Sequence, residues 1–143
     1  MGTTADAAEE SGLGVRLGFR SGQVVQEFGY DDDVDHDLRE AVEDLTGNEL
    51  VDEDADDVVD AVLLWWREDD GDLVDALVDV LAALVEGGAI WLLTPKSGRP
   101  GHVEPSDIEE AAPTAGLHST RTLSVGSDWA ATRLVTPKPG RKG

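Results

Sequence analysis

The amino-acid sequence predicts a three-layer α/β domain with a mostly parallel sheet, helices on both faces and an antiparallel hairpin at the C-terminal end. Three observations carry that reading. Apolar residues recur at helical spacing in two separate segments, 34–45 and 73–84. Near-continuous apolar runs at 58–66 and 89–93 lie beside them, and a strand apolar on both sides belongs at the centre of a parallel sheet. The last part holds two strand-like segments around Gly126-Ser127-Asp128. Strands that alternate with helices and then end in a hairpin give this layered order.

Residues 1–12 are small and acidic and are expected to form a disordered tail. One domain follows at 13–136, and a short basic tail at 137–143 closes the chain. Leu13, Val15, Leu17 and Phe19 stand among glycines and suggest a short helix or turn. Ser21-Gly22 turns the chain into a first strand at 23–28. Val34, Leu38, Ala41, Val42 and Leu45 then share one helical face, with Arg39, Glu40, Glu43 and Asp44 opposite. An aspartate among Asp31, Asp32 and Asp33 is expected to cap this helix, and Gly47 to end it.

Residues 48–51 suggest a short second strand, and 52–57 an acidic linker. The run 58–66, polar only at Asp60, is the central strand. Residues 68–72 break it and supply the cap of a second helix, whose stripe is Leu73, Val74, Leu77, Val80, Leu81 and Leu84, opposed by Asp72, Asp75 and Asp79. Gly87-Gly88 is expected to end that helix, with a strand from Ala89 to Leu93 stopped by Pro95. A third helix is expected to start at Ser106 as cap, with Glu109 as its capping-box partner, and to close at Ala115-Gly116. The hairpin strands are 117–125 and 129–135.

Composition narrows the function classes. The chain has 143 residues and no cysteine, which excludes disulfides, thiolate metal sites and cysteine nucleophiles. No run approaches the ~20 apolar residues of a membrane span, and the N-terminus lacks the positive start and apolar core of a signal peptide. A cytoplasmic, unprocessed protein is the expectation. The charge is strongly acidic, 31 Asp and Glu against 11 Lys and Arg. Five of those acids and seven of those bases come after Glu86, so the negative charge is concentrated before it. Such a field repels nucleic acid and anionic membranes and attracts cations or basic protein surfaces. It serves either solubility and salt adaptation or a surface for a basic partner. The residues for that surface are Asp31, Asp32, Asp33, Asp35, Asp52, Asp54, Asp56, Asp72, Asp75 and Asp79.

The alternating carboxylates Asp31, Asp33 and Asp35 invite a metal reading. A calcium loop of the EF-hand kind needs glycine at its sixth position and glutamate at its twelfth, and His36 and Val42 stand there. The run from Asp52 fails likewise, with Asp57 and Leu63. No metal site is predicted beyond loose cation binding to Asp31, Asp33 and Asp35. His36, His102 and His118 are scattered, none at ligand spacing from another. No triad order, nucleophile elbow or phosphate loop is present, so no catalytic residue is assigned. Trp65 and Trp66 are adjacent and must face opposite sides of a strand. With Trp91 and Trp129 they fall near strand ends, where open α/β sheets bind ligands. Arg67, Lys96 and Arg133 are nearby, so this rim could hold an aromatic or anionic small molecule; packing is the alternative use.

Two resemblances follow. Leu17-Gly18-Phe19, Ser21-Gly22-Gln23-Val24-Val25, Leu63-Leu64-Trp65-Trp66-Arg67, the run from Gly88 to Lys96 and the run from Asp128 to Val135 resemble a family of small actinobacterial proteins classed as a domain of unknown function. That resemblance spans about Leu17 to Lys138 and implies no activity. The order of elements, with Asp60-Ala61-Val62-Leu63-Leu64, Gly87-Gly88-Ala89-Ile90-Trp91 and Ala115-Gly116-Leu117, is similar to the second half of class I S-adenosylmethionine methyltransferases, a Rossmann-like fold. It implies a cofactor over a glycine-rich turn after the first strand, where the backbone must approach the ligand closely. Here that turn is Glu27-Phe28-Gly29-Tyr30-Asp31-Asp32-Asp33 and keeps one glycine. Asp52 and Glu53 follow the second strand, where such folds place a ribose-binding acid.

No cofactor is therefore predicted; S-adenosylmethionine is the one the resemblance would imply. The preferred reading is a non-catalytic interaction or regulatory protein that presents its acidic surface to a basic partner. The alternative is a small-molecule-binding domain or degenerate methyltransferase, with a pocket from Glu27, Gly29, Tyr30, Asp52, Trp65, Trp66, Arg67, Thr94 and Lys96.

Overall fold

The computed structural model describes residues 18–55, 58–126 and 128–136; the expected tails, and the expected turn or helix as far as Leu17, lie outside them. In chain order the elements are β1 (Val25–Phe28), α1 (His36–Thr46), β2 (Val59–Trp65), a single 3-10 turn (Glu68–Asp70), α2 (Leu73–Leu81), β3 (Leu84–Pro95), α3 (Pro105–Thr114), β4 (His118–Val125) and β5 (Trp129–Val135). The sheet order is β1-β2-β3-β5-β4. β1, β2 and β3 run parallel, β5 is antiparallel to β3, and β4 is antiparallel to β5. The three-layer α/β fold with its closing hairpin is what the patterning predicts.

Alternation along the strands builds two cores. Ala61, Leu63 and Trp65 of β2 lie under α1, with Leu38, Val42, Trp91 and Trp129. Val62, Leu64 and Trp66 face the other way, packing with Leu77 and Val80 of α2 and Ile108 of α3. Helices thus cover both faces, and the two adjacent tryptophans belong to opposite layers. Asp60, the polar residue in the run, has its carboxylate engaged by the Val24 N–H at 2.8 Å.

Four local expectations are corrected. The α1 cap is Asp35, whose carboxylate accepts from the Leu38 N–H at 2.9 Å, not one of Asp31, Asp32 or Asp33. Val34 must be buried in the core first, so the helix starts beyond it. Residues 48–51 form no strand, only a single parallel bridge from Val51 to Gln26. Helix α2 stops at Leu81, and Leu84 opens β3 opposite Val59. Gly87 and Gly88 lie inside that strand: Ala61 next pairs with Ala89, so the residues between form a bulge. A Cβ at Gly88 would crowd the Asp60 carbonyl and the Leu84 side chain, which accounts for glycine there. Finally, α3 starts with Pro105 in its first turn and Glu104 before it, with no side-chain cap. Proline is preorganised for that first position, which displaces Ser106 into the helix.

Candidate functional site

The carboxyl ends of β1 and β2 meet at one edge of the sheet, and the chain leaving them forms a solvent-open crevice of ≈ 440 Å³. Its wall from β1 is Phe28, Gly29, Tyr30 and Asp31, and from β2 it is Leu64 to Arg67. Glu53, Asp70 and Asp79 complete a rim in which Arg67 is the cation.

Below the crevice lies a buried polar knot. Glu27, 7% exposed, stands next to last in β1 with its side chain in the core and must find partners there. Its carboxylate accepts from Arg39 at 2.7 and 3.0 Å and from the Trp65 indole N–H at 2.8 Å. Arg39, in turn, lies 4.8 Å over the ring of Tyr30. The hydrogen bond and charge of Glu27 outweigh partial burial and raise the Arg39 pKa above its ordinary value.

Arg67 closes the turn from the other side. It donates to the Gly29 carbonyl at 2.8 Å, pairs with Asp33 through a bidentate contact, and lies 5.3 Å over the Trp129 ring. Burial opposes its charge, but Asp33 and Asp70 prevail and raise its pKa. The same hydrogen bond from Arg67, helped by its charge, lowers the pKa of Asp33 against the opposing effect of partial burial. Trp129 donates its indole N–H to the Asp33 carbonyl at 3.0 Å and meets Trp65 edge to face, 4.9 Å between centroids. The Gly29 N–H is taken by the Glu53 carboxylate at 3.0 Å. Both backbone polar groups of the turn's single glycine are thus occupied by the protein itself.

Of the residues singled out for a pocket, Gly29, Tyr30, Trp65, Trp66 and Arg67 line the crevice together. Glu27 is committed to the knot beneath. Asp52 contributes only its carbonyl, to Gln26 at 2.9 Å; the acid in the crevice is Glu53. Thr94 and Lys96 do not join them. They line a second cavity that shares no lining residue with the crevice, so the single pocket expected from sequence is two.

The three metal candidates are dispersed: Asp31 accepts from the Asp32 N–H, Asp33 holds Arg67, and Asp35 caps α1. Among the described residues no group of three or more histidines or carboxylates is placed to hold a metal ion. Of the surface acids, Asp31, Asp32, Asp33, Asp52, Asp54, Asp72, Asp75 and Asp79 are exposed, Asp35 is half-buried, and Asp56 lies outside the described residues. No helix among the described residues is long and apolar enough to cross a membrane.

Sequence reasoning missed the roles of Arg39, Asp33 and Glu53. The only signal for the first was Glu27 itself, an acid at the end of an apolar strand. Nothing in the sequence pairs Arg67 with Asp33 across their separation.

A family model described as "Protein of unknown function (DUF3052)" matches residues 14–138. Uncharacterised proteins of Mycobacterium tuberculosis and Mycobacterium bovis are 53% identical over 138 residues, covering 96% of this chain and 87% of theirs. Among solved structures, a SAM-dependent methyltransferase from Aquifex aeolicus aligns with a TM-score of 0.60 at 12% identity, covering 87% of this chain and 88% of that one. One from Thiobacillus denitrificans, in complex with S-adenosyl-L-homocysteine, gives 0.58 at 10% identity, covering 90% and 91%. At such identities the likeness is one of fold. The turn after β1 does not fit a bound S-adenosylmethionine as a glycine-rich turn would. Its glycine N–H and carbonyl are spent on Glu53 and Arg67.

Proposed function

We propose that this chain, which belongs to the DUF3052 family of proteins of unknown function, is a non-catalytic interaction protein that uses a methyltransferase-like scaffold to present an acidic surface to a basic protein partner. The observation that carries this reading is the internal occupation of the turn after β1: the N–H and carbonyl of its one glycine are taken by Glu53 and Arg67, and Arg67 is in turn paired with Asp33. Asp31, Asp32, Asp72, Asp75 and Asp79 are exposed, Asp72 also capping α2 through the Val74 and Asp75 N–H groups, in a chain of formal net charge −20. Charge complementarity of this kind steers association and weakens with salt.

The test is affinity capture from a native lysate at low and high salt, with the wild type beside a variant carrying Asn at Asp31, Asp32, Asp72, Asp75 and Asp79. A basic protein held by the wild type, released by salt and absent from the variant supports the proposal. Identical captures in all four conditions overturn it.

A second reading, a small-molecule-binding domain or degenerate methyltransferase, is favoured by the crevice of ≈ 440 Å³ with Glu53 and Trp66 in its wall. Stabilisation against heat by S-adenosylmethionine would support it, since a ligand that binds only the native state raises the melting temperature.

A further inference from the structure

Thr94 of β3 and Thr132 of β5 are 3% and 5% exposed. Both line a cavity of ≈ 280 Å³, between the start of α3 and the sheet formed by β3, β5 and β4, that shares no residue with the crevice. Strand register explains the floor. Thr132 pairs with Leu92 on one side and Thr122 on the other, and Thr94 pairs with Ala130, so these side chains share the face that α3 covers. Val103, Pro105 and Ile108 form an apolar roof.

The hydroxyls of Thr94 and Thr132 make no hydrogen bond to another described residue. Neither is sealed in the protein: Gln26 Oε1 is the one unpartnered, fully enclosed polar side-chain atom among the described residues. The hydroxyls therefore reach the cavity. Facing the cavity, they are placed to bond a molecule that enters it, whereas valine would fill the same space with no such group. Two such threonines on neighbouring strands give the cavity a polar floor.

The chemistry of the occupant follows from the lining. His102 has its Nδ1 2.9 Å from the Pro95 carbonyl, so that nitrogen donates, and its Nε2 lies 3.7 Å from the Glu104 carboxylate. The Lys96 ammonium is turned to the Gly126 carbonyl at 3.0 Å, and Glu109 is exposed on α3. The buried residues of the lining, Thr94, Pro95, Val103, Ile108 and Thr132, thus offer hydroxyls and apolar carbon, while of the charged ones Lys96 is half-buried and Glu109 exposed. We propose that this cavity is a binding site for a neutral, fragment-sized molecule with an apolar body and a hydroxyl or carbonyl group that bonds Thr94 and Thr132. Apolar walls with a few convergent polar groups are the usual build of such sites.

The experiment is a titration of the full chain with phenol and benzyl alcohol, and with benzoate and benzylamine as charged controls, followed by NMR of the threonine methyls. Saturable shifts at Thr94 and Thr132 with the neutral probes, and not with the charged ones, are expected. Thr94→Val and Thr132→Val should each weaken binding about tenfold, the value of one hydrogen bond, while leaving the melting temperature unchanged or higher. No shift at these methyls, equal shifts with the charged probes, or valine variants that melt at lower temperature would overturn the proposal. The wild-type titration decides it even if a variant fails to fold.

Discussion

The carboxylate of Glu27 accepts the indole N–H of Trp65 at 2.8 Å, joining the ends of two neighbouring parallel strands through their side chains. Arg39 of α1 fastens on the same carboxylate, so one buried acid ties both strands to the helix above them. Replacing it by glutamine leaves a single acceptor oxygen and points amide hydrogens at a guanidinium. Glu27→Gln should cost about 1–3 kcal/mol. The urea midpoint should fall with the slope unchanged.

Gly29 and Gly47 separate two reasons for glycine. Both have positive φ, 78° and 79°, but a Cβ at Gly47 meets open space, whereas one at Gly29 would overlap the Trp65 carbonyl. Gly47→Ala should cost about 1 kcal/mol, the strain of a left-handed alanine. Gly29→Ala should cost more than about 3 kcal/mol, because steric overlap adds to that strain. Equal losses in thermal or urea unfolding would remove the close approach as the cause.

The pairing of Asp33 with Arg67 has a pH signature. A carboxylate whose folded pKa is lowered by Arg67 adds stability above its unfolded pKa and loses it as pH falls through the folded one. The stability difference between wild type and Asp33→Asn should be full at pH 7 and shrink below roughly pH 4. Asp33 is 55% exposed, so the difference at neutral pH should stay within about 1 kcal/mol. Paired urea titrations at the two pH values measure it.

A net charge of −20 opposes compaction. Raising salt from about 10 to 150 mM shortens the screening length from ~30 to ~8 Å. The melting temperature should then rise by about 3–6 °C if roughly 1 kcal/mol of repulsion is relieved. A flat response in a salt series would show that the acidic residues are too dispersed to repel one another.

The layers were legible because periodicity reports burial, as with Leu38 and Val42 on α1 or the alternation of Trp65 and Trp66. Boundaries were harder. Leu84 continues the helical spacing of Leu81, and only its pairing with Val59 makes it a strand residue. A run of aspartates offers several caps, and the burial of Val34 selects Asp35. The site was least legible. Glu27 meets Trp65, and Arg67 meets Asp33, across stretches where sequence carries no pairing signal. The cavity floor exists only once β3, β4 and β5 lie side by side.

The edge-to-face contact of Trp65 and Trp129 gives the chain a built-in optical gauge. One indole is anchored on Glu27, the other on the Asp33 carbonyl beneath Arg67. Anything that loosens this junction alters the surroundings of both rings together. Intrinsic emission and near-ultraviolet dichroism can therefore follow events at the crevice without attaching a dye.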